Sequence, residues 1–145
     1  MYEKQLVVGW GDLDANAHMR NTAYLDKAVD VRMMYFAECG FPMAEFARLR
    51  LGPVVKTDQI DYFREFHLLD PIGITLGLAG LSDDGSRMMM RNEFFREGKL
   101  AARVTTTAGW LDLAARKLIC PPPKLLEALR DLDRSDDFQL LPSSA

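Results

Sequence analysis

The hydrophobic positions near the start of the chain predict a strand followed by one long helix. Residues 4–10 are β-branched and aromatic enough for a strand, and Gly11 follows as a turn residue. Apolar positions then recur at helical spacing across residues 22–39 with only a narrow polar stripe, so this helix is expected to be mostly buried. Asn21 is its expected N-cap, and Asp26 is expected to place negative charge near its first turn.

The rest of the chain is predicted to form a short helix, four strands and a second short helix. The strands are separated by turn residues that favour hairpins. The last helix begins at a proline run, because proline is tolerated in a first helical turn. The first short helix is expected at residues 43–49, the strands at 54–63, 72–81, 87–95 and 100–111, and the last helix from 121 to about 132.

This order of elements predicts an α+β fold with one antiparallel sheet against one long helix. A chain of 145 residues has the size of one domain, which is expected over residues 1–133, with 134–145 as a polar, frayed C-terminal tail. A single helix covers only part of the sheet, so association of chains through the sheet is expected.

Composition and charge argue against several classes of protein. The net charge of −3 argues against a surface that binds nucleic acid. Cys39 and Cys120 form no C-x-x-C pair, so no disulfide framework or zinc site is suggested, and no metal or cofactor is expected. No apolar run reaches the ~20 residues of a membrane span. Residues 1–5 lack the apolar run of a secretory signal, so the expected location is the cytoplasm.

The loop between the first strand and the long helix concentrates polar side chains. It holds two carboxylates, two amides and an imidazole, and it leads into a helix N-terminus, where free N–H groups can stabilise an oxyanion. Taken singly, each residue is more often a turn or cap residue than a catalytic one, and only the joint spacing favours catalysis. The residues are Asp12, Asp14, Asn16, His18 and Asn21.

The spacing D-x-D-x-N-x-H-x-x-N-x-x-Y at residues 12–24 resembles the start of thioesterases of the hydroxybenzoyl-CoA and acyl-ACP type. The likeness covers residues 3–133 and includes Arg32 and the segment 107–113. It implies a hotdog fold, in which a curved antiparallel sheet wraps the long helix. It also implies a homodimer or homotetramer with active sites at the dimer interface, and hydrolysis of a small or medium acyl-CoA, or of an acyl-ACP.

The same resemblance implies roles for the loop residues. Asp14 matches the catalytic carboxylate, with Asn16 and His18 completing a catalytic set, and the backbone N–H of Asn21 matches the oxyanion donor. Two mechanisms stay open: Asp14 attacks the thioester carbonyl, or Asp14 or His18 deprotonates a water that attacks it. Many relatives have glycine where this chain has Ala17, which narrows the backbone freedom of the loop.

Four further residues are weaker candidates for substrate binding. Tyr24 could line the acyl pocket, although an aromatic residue on a buried helix usually belongs to the core. Asp58 could approach the site from a neighbouring subunit, although an edge or solvent-facing position is the better expectation. Arg87 and Arg91 could meet the phosphates of CoA, although charged residues on strands usually form the solvated face.

Two alternative functions remain open from the sequence. Hotdog hydratases and dehydratases carry D-x-N-P-x-H, with histidine five residues after the aspartate. In this chain His18 lies four residues after Asp14, and no proline follows Asn16. A non-catalytic scaffold that binds acyl groups would have little need of a carboxylate and an imidazole at a helix N-terminus, although one sequence does not distinguish it.

Overall fold

The computed structural model describes all 145 residues. Three helices, a 3₁₀ turn and seven strands follow one another along the chain. They are β1 (Tyr2–Val7), the 3₁₀ turn (Trp10–Asp12), α1 (Asn21–Glu38), α2 (Met43–Leu49), β2 (Leu51–Tyr62), β3 (Pro71–Ser82), β4 (Arg87–Arg96), β5 (Lys99–Asp112), β6 (Lys117–Ile119), α3 (Pro123–Arg130) and β7 (Arg134–Leu141).

The strands form one curled sheet in the order β1-β3-β4-β5-β2, and every neighbouring pair on this path is antiparallel. The turn between β4 and β5 consists of Glu97 and Gly98, which both have positive φ (52° and 76°). Two consecutive positive φ angles define the type I′ turn, whose twist matches that of the flanking strands. The predicted hairpin at this position is therefore confirmed.

One face of the sheet packs against α1. The ring of Tyr24 lies 5.3 Å from that of Phe94 on β4. In the last turn of α1, the ring of Phe36 lies 5.7 Å from that of Trp110 on β5. Between them, buried Arg32 donates a hydrogen bond of 3.0 Å to Thr106 Oγ1 on β5. A curled antiparallel sheet against one long helix is the hotdog arrangement, so the expected α+β hotdog fold is confirmed.

The start of α1 differs from the prediction by one residue. The N-cap is Arg20, which has extended backbone angles and makes no side-chain cap hydrogen bond. Asn21 is the first residue inside the helix, so its prediction as N-cap is wrong. Asp26 is also misplaced, because the first turn of α1 contains no acidic residue. The N-terminal N–H groups of α1 are consequently left without a carboxylate of their own helix.

The prediction of a frayed tail over residues 134–145 is wrong for β7. This strand lies parallel to β3, with Leu140 opposite Leu81. A Cβ atom added at Gly80 would lie 3.1 Å from the carbonyl oxygen of Gln139, so the missing side chain lets the two backbones approach. The half-buried positions of β7 recur every third residue and do not alternate along the strand. The main-chain pairing that stabilises it therefore leaves no period-two hydrophobic pattern.

The sheet has more strands than the five expected. The five-stranded path is present, and β6 and β7 add to it by pairing with β5 and β3. None of the three helices combines the length and apolar character that crossing a membrane requires.

Candidate active site

The loop before α1 folds back on itself and holds Asp14 in a turn. The backbone N–H of Asp14 donates to the carbonyl oxygen of His18 over 2.8 Å, and the N–H of Ala17 donates to the carbonyl oxygen of Asp14 over 3.1 Å. Asp14 Oδ1 accepts hydrogen bonds from the backbone N–H groups of Asn16 (2.8 Å) and His18 (3.2 Å). Asp14 Oδ2 makes no hydrogen bond within the chain, so one carboxylate oxygen is oriented by the loop and the other is free.

Ala17 occupies a position of the loop where the backbone conformation favours glycine. Its φ is +63°, in the left-handed region. A residue with a side chain pays about 1 to 2 kcal/mol in that region, whereas glycine enters it freely. The loop nevertheless closes around Asp14 with alanine at this position.

Asp12, the other carboxylate of the loop, is committed to structure. Its Oδ2 accepts the backbone N–H of Gly9 over 2.7 Å and forms a 2.9 Å ion pair with Lys27 Nζ on α1. Burial by itself raises the pKa of the Asp12 carboxyl, but the Gly9 hydrogen bond and the Lys27 ammonium together hold that pKa below its usual range. Asp12 therefore ties the 3₁₀ turn to the helix.

An open cleft of about 910 Å³ runs along the N-terminus of α1. Asp14 and Asn21 both line it. The backbone N–H of Asn21 has no acceptor in the chain, as expected for the first residue of a helix. A free carboxylate oxygen and a free N–H at the positive end of a helix dipole thus share one cleft. The other lining residues are His18, Met19, Tyr24, Tyr62, Phe63, Arg64, Glu65, Arg96, Glu97 and Lys99.

His18 is held by groups that the sequence reasoning did not include. Its Nε2 lies 2.9 Å from Glu65 Oε2. Its ring packs edge-on against that of His67, with 5.3 Å between ring centres. The contact of His18 with Asp14 uses the backbone N–H, and the imidazole makes no hydrogen bond to the Asp14 carboxylate. The chain has two histidines, and the second, His67, lies in the segment Glu65-Phe66-His67. This pairing of a histidine with a nearby carboxylate is the sequence feature that could have drawn attention to the segment.

Tyr24 belongs both to the core and to the wall of the cleft. Its side chain is almost fully buried, and its ring lies 5.2 Å from that of Tyr62 at the end of β2. Burial, with smaller contributions from Tyr62, Glu65 and Asp14, raises the pKa of Tyr24 to about 12. The phenol is therefore a neutral O–H at physiological pH. Tyr24, Tyr62 and Phe63 form an aromatic wall along one side of the cleft.

Three cations line the cleft that the sequence reasoning did not single out. They are Arg64, Arg96 and Lys99, from the end of β2 and the β4–β5 hairpin. Arg96 is occupied within the chain, since its Nη1 donates to the carbonyl oxygen of Glu65 over 2.8 Å. Arg64 and Lys99 form no ion pair in the chain, so their charges are free.

The structure places the two strand arginines of the sequence analysis away from this cleft. Arg91 forms a 2.7 Å ion pair with Asp137 on β7, and Arg87 donates from Nε to Ser144 Oγ over 2.9 Å. Neither residue lines the cleft. Both arginines bind the C-terminal segment to the sheet. The sequence prediction missed these contacts because it treated that segment as a frayed tail.

Asn16 and Asp58 are also outside the cleft. Asn16 is exposed, and the contact that connects it to the site is the hydrogen bond from its backbone N–H to Asp14. Asp58 is exposed on the edge strand β2, as expected, and accepts a 2.6 Å hydrogen bond from Thr106 Oγ1.

One family of known proteins matches most of this chain. A sequence model of the family described as the thioesterase-like superfamily matches residues 8–129 of this chain. No protein with a curated description matches it.

Several solved structures share the fold. The 1,4-dihydroxy-2-naphthoyl-CoA thioesterase from Synechocystis is 17% identical, with a TM-score of 0.80 over 90% of this chain and 96% of that chain. YbaW, a probable thioesterase from Escherichia coli, is 24% identical, with a TM-score of 0.76 over 91% and 98%. A hypothetical protein from Staphylococcus aureus, determined in complex with CoA, is 18% identical, with a TM-score of 0.79 over 90% and 85%. At these identities the likeness establishes the fold.

Proposed function

The chain belongs to the thioesterase-like superfamily, and from this premise we propose that it hydrolyses the thioester of a small or medium acyl-CoA to the free acid and CoA thiol. One observation carries the proposal: the free Oδ2 of Asp14 and the unpaired backbone N–H of Asn21 line the same cleft. An acyl transfer needs a nucleophile or base and a donor for the developing oxyanion, and this pair supplies both.

The Asn21 N–H is proposed to bind the thioester carbonyl oxygen. In the nucleophilic route, Asp14 Oδ2 bonds to the carbonyl carbon, the C–S bond breaks and the thiolate leaves. Water then hydrolyses the mixed anhydride and restores the carboxylate. In the general-base route, Asp14 takes a proton from a water whose oxygen bonds to the same carbon; the C–S bond then breaks, and the leaving thiolate takes up the proton from Asp14. Asp14 is preferred to His18 for either role, because His18 Nε2 lies against Glu65 whereas Asp14 Oδ2 has no partner.

The free cations Arg64 and Lys99 are proposed to bind the phosphates of CoA. They line the cleft and have no intrachain ion pair, whereas Arg87 and Arg91 are occupied by the C-terminal segment. Guanidinium and ammonium groups are the usual protein partners of phosphate. The structure of the Staphylococcus aureus relative was determined with CoA, which supports a CoA thioester as the substrate.

The acyl group is proposed to lie against the aromatic wall of Tyr24, Tyr62 and Phe63. Aromatic side chains offer apolar area and edge-to-face contacts to a ring-bearing acyl group. The Synechocystis relative is a thioesterase for an aromatic acyl-CoA. Small aromatic acyl-CoA esters such as benzoyl-CoA are therefore included in the panel that tests the function.

We propose that the chain forms a homodimer, the basic unit of any homotetramer, through the free edge of β2. Strand β2 is twelve residues long and pairs along one edge only, with β5. Tyr62 and Phe63 remain 52% and 53% exposed although both are aromatic. Long exposed strand edges are usually covered, and a second copy on this edge would enclose the cleft between two chains.

The decisive experiment measures thiol release from a panel of short, medium, branched and aromatic acyl-CoA esters. Native protein is expected to release CoA thiol from at least one ester, and Asp14→Asn is expected to lose that activity. Asp30→Asn is the matched control, because Asp30 is an exposed carboxylate on α1 outside the cleft. Absence of thiol release from every ester would overturn the proposed function. A fully active Asp14→Asn would overturn the site instead.

A further inference from the structure

The two histidines of the chain meet on one carboxylate beside the cleft. They are 49 positions apart in sequence, since one is residue 18 and the other residue 67. His18 Nε2 lies 2.9 Å from Glu65 Oε2, and His67 Nε2 lies 3.3 Å from Glu65 Oε1. One ligand atom of each residue can be chosen so that all three lie within 4.8 Å of one another.

These distances suit a small metal ion. Zn²⁺ binds imidazole nitrogen and carboxylate oxygen at about 2.0 to 2.2 Å, so neighbouring ligand atoms in a tetrahedral site lie about 3.3 Å apart. Each histidine–glutamate pair is near this spacing, at 2.9 and 3.3 Å, but the two imidazoles face different oxygens of Glu65. Small rotations of the carboxylate and of the two rings would therefore bring one ligand atom of each residue around a single ion. Two imidazoles and one carboxylate form a donor set that favours Zn²⁺ and its transition-metal neighbours over Mg²⁺ or Ca²⁺, which prefer oxygen ligands.

A second carboxylate stands behind one of the imidazoles. Asp70 Oδ2 lies 3.6 Å from His67 Nδ1, the ring nitrogen that faces away from Glu65. The same Asp70 oxygen accepts the backbone N–H of His67 over 2.8 Å, which holds the carboxylate in position. Histidines that bind metal usually donate their other ring N–H to a carboxylate or carbonyl, and this partner orients the ring and strengthens it as a ligand.

From this arrangement we propose that His18, Glu65 and His67 form a binding site for one divalent transition-metal ion, with Zn²⁺ preferred over Mg²⁺ and Ca²⁺. Without the ion, the Glu65 carboxylate lies between the two imidazoles, with each Nε2 near one of its oxygens. With the ion, each Nε2 presents its lone pair to the metal, and the ring proton resides on Nδ1. The three side chains are 37%, 53% and 46% exposed, so the ion can enter from solvent. The proposal departs from the expectation of no metal, which rested on cysteine spacing.

A metal ion bound at this site would lie in the wall of the cleft. His18 and Glu65 line the cleft together with Asp14, and three protein ligands leave a coordination position open beside it. A bound ion also draws His18 and Glu65 into its coordination shell. Resting on the proposed function, this part of the inference is that the ion obstructs the cleft that the acyl-CoA must enter, so that Zn²⁺ slows hydrolysis and a chelator restores it.

The test of the site is metal binding by the tag-free full chain after removal of metal with a chelator. Titration with Zn²⁺ followed by calorimetry, and with Co²⁺ followed by visible absorption, is expected to reach one ion per chain, with no saturable binding of Mg²⁺. His67→Gln and Glu65→Gln are each expected to weaken Zn²⁺ affinity at least about tenfold. Glu97→Gln is the matched control, because Glu97 is a carboxylate of the same cleft outside the triad.

Two results would overturn the metal site. One is a native chain that binds no Zn²⁺ or Co²⁺ at stoichiometric concentration, which would leave Glu65 as a charge partner of the two imidazoles. The other is undiminished affinity in both triad variants. Denaturant unfolding of each variant checks that lost binding does not reflect a lost fold.

Hydrolysis with and without Zn²⁺ separates this proposal from the proposed function. Loss of acyl-CoA is followed by chromatography, because Zn²⁺ binds the thiols used in colour assays. In the native chain Zn²⁺ is expected to slow hydrolysis, and in His67→Gln the same Zn²⁺ concentration is expected to have little effect. Metal binding without any hydrolysis would overturn the proposed function and leave the site intact. Hydrolysis without metal binding would do the reverse.

Discussion

Asp12 and Asp14 stand two residues apart in one loop and have opposite environments. The Asp12 carboxylate is engaged by the Gly9 N–H and by the Lys27 ammonium. The Asp14 carboxylate is oriented through one oxygen by two backbone N–H groups, and its second oxygen is free beside a cleft. The catalytic candidate is therefore the carboxylate whose structural contacts leave one oxygen without a partner.

The largest expected effect comes from removing the charge of Asp14. Asp14→Asn keeps an Oδ1 atom to accept the two backbone N–H groups, but it removes the nucleophile or base. We expect kcat for acyl-CoA hydrolysis to fall about 10³-fold, within the usual range for such a group. The free energy of unfolding should stay within about 0.5 kcal/mol of the native value, because the turn is intact. A variant that loses stability and keeps activity would reverse the roles assigned to the two carboxylates.

Asp12→Asn is expected to show the opposite division of effects. The amide no longer pairs with the Lys27 ammonium, and a hydrogen bond that involves a charged group contributes about 1.5 to 3 kcal/mol. Because Asp12 is partly exposed, a loss of about 1 to 2 kcal/mol in the free energy of unfolding is expected from denaturant titration. At a temperature where the variant is folded, its kcat should stay close to native. A large loss of kcat in the folded variant would contradict a purely structural role.

Ala17 affects the stability of the Asp14 turn through the backbone, because its left-handed conformation closes that turn. Ala17→Gly removes the strain of a side chain at φ +63° but adds freedom to the unfolded chain. We expect a net gain of about 0.5 kcal/mol in the free energy of unfolding, since the left-handed strain of about 1 to 2 kcal/mol outweighs the entropy of glycine. Ala17→Val should lose stability in the same measurement. A stabilised valine variant would contradict the left-handed backbone at this position.

The smallest expected effect is in the pH dependence of stability. Burial raises the pKa of Asp12, but the Gly9 N–H and the Lys27 ammonium together lower it below the usual range of an aspartate in the folded chain. A group with a lowered folded pKa stabilises the fold above its unfolded pKa, and this contribution disappears as the pH falls through the folded pKa. The stability difference between native protein and Asp12→Asn should therefore be full near neutral pH and shrink below about pH 4. A difference that grows on acidification would contradict the Lys27 ion pair as its origin.

Much of the fold could be predicted from local patterns. The helix at Met43–Leu49 agrees at both ends, and the long helix and the four strands β2 to β5 agree within a few residues. The misses have physical causes. β7 is stabilised by main-chain pairing with β3 and leaves no alternating pattern, and the helix N-cap is Arg20 because the backbone of the loop, not a side-chain cap, sets where α1 begins.

The sequence alone determined the presence of a polar loop before a buried helix, because both features depend on neighbours in the chain. It also identified Asp14 and Asn21 as candidates, and these two do share a cleft. The contacts of the site could be found only in the tertiary structure. There Lys27 pairs with Asp12, and Glu65 and His67 lie against His18. The free cations near the site are Arg64 and Lys99, and not Arg87 and Arg91. These contacts join segments that are distant in sequence. Periodicity reports which face of an element is buried, whereas sheet pairing and chain reversal determine what lies opposite that face.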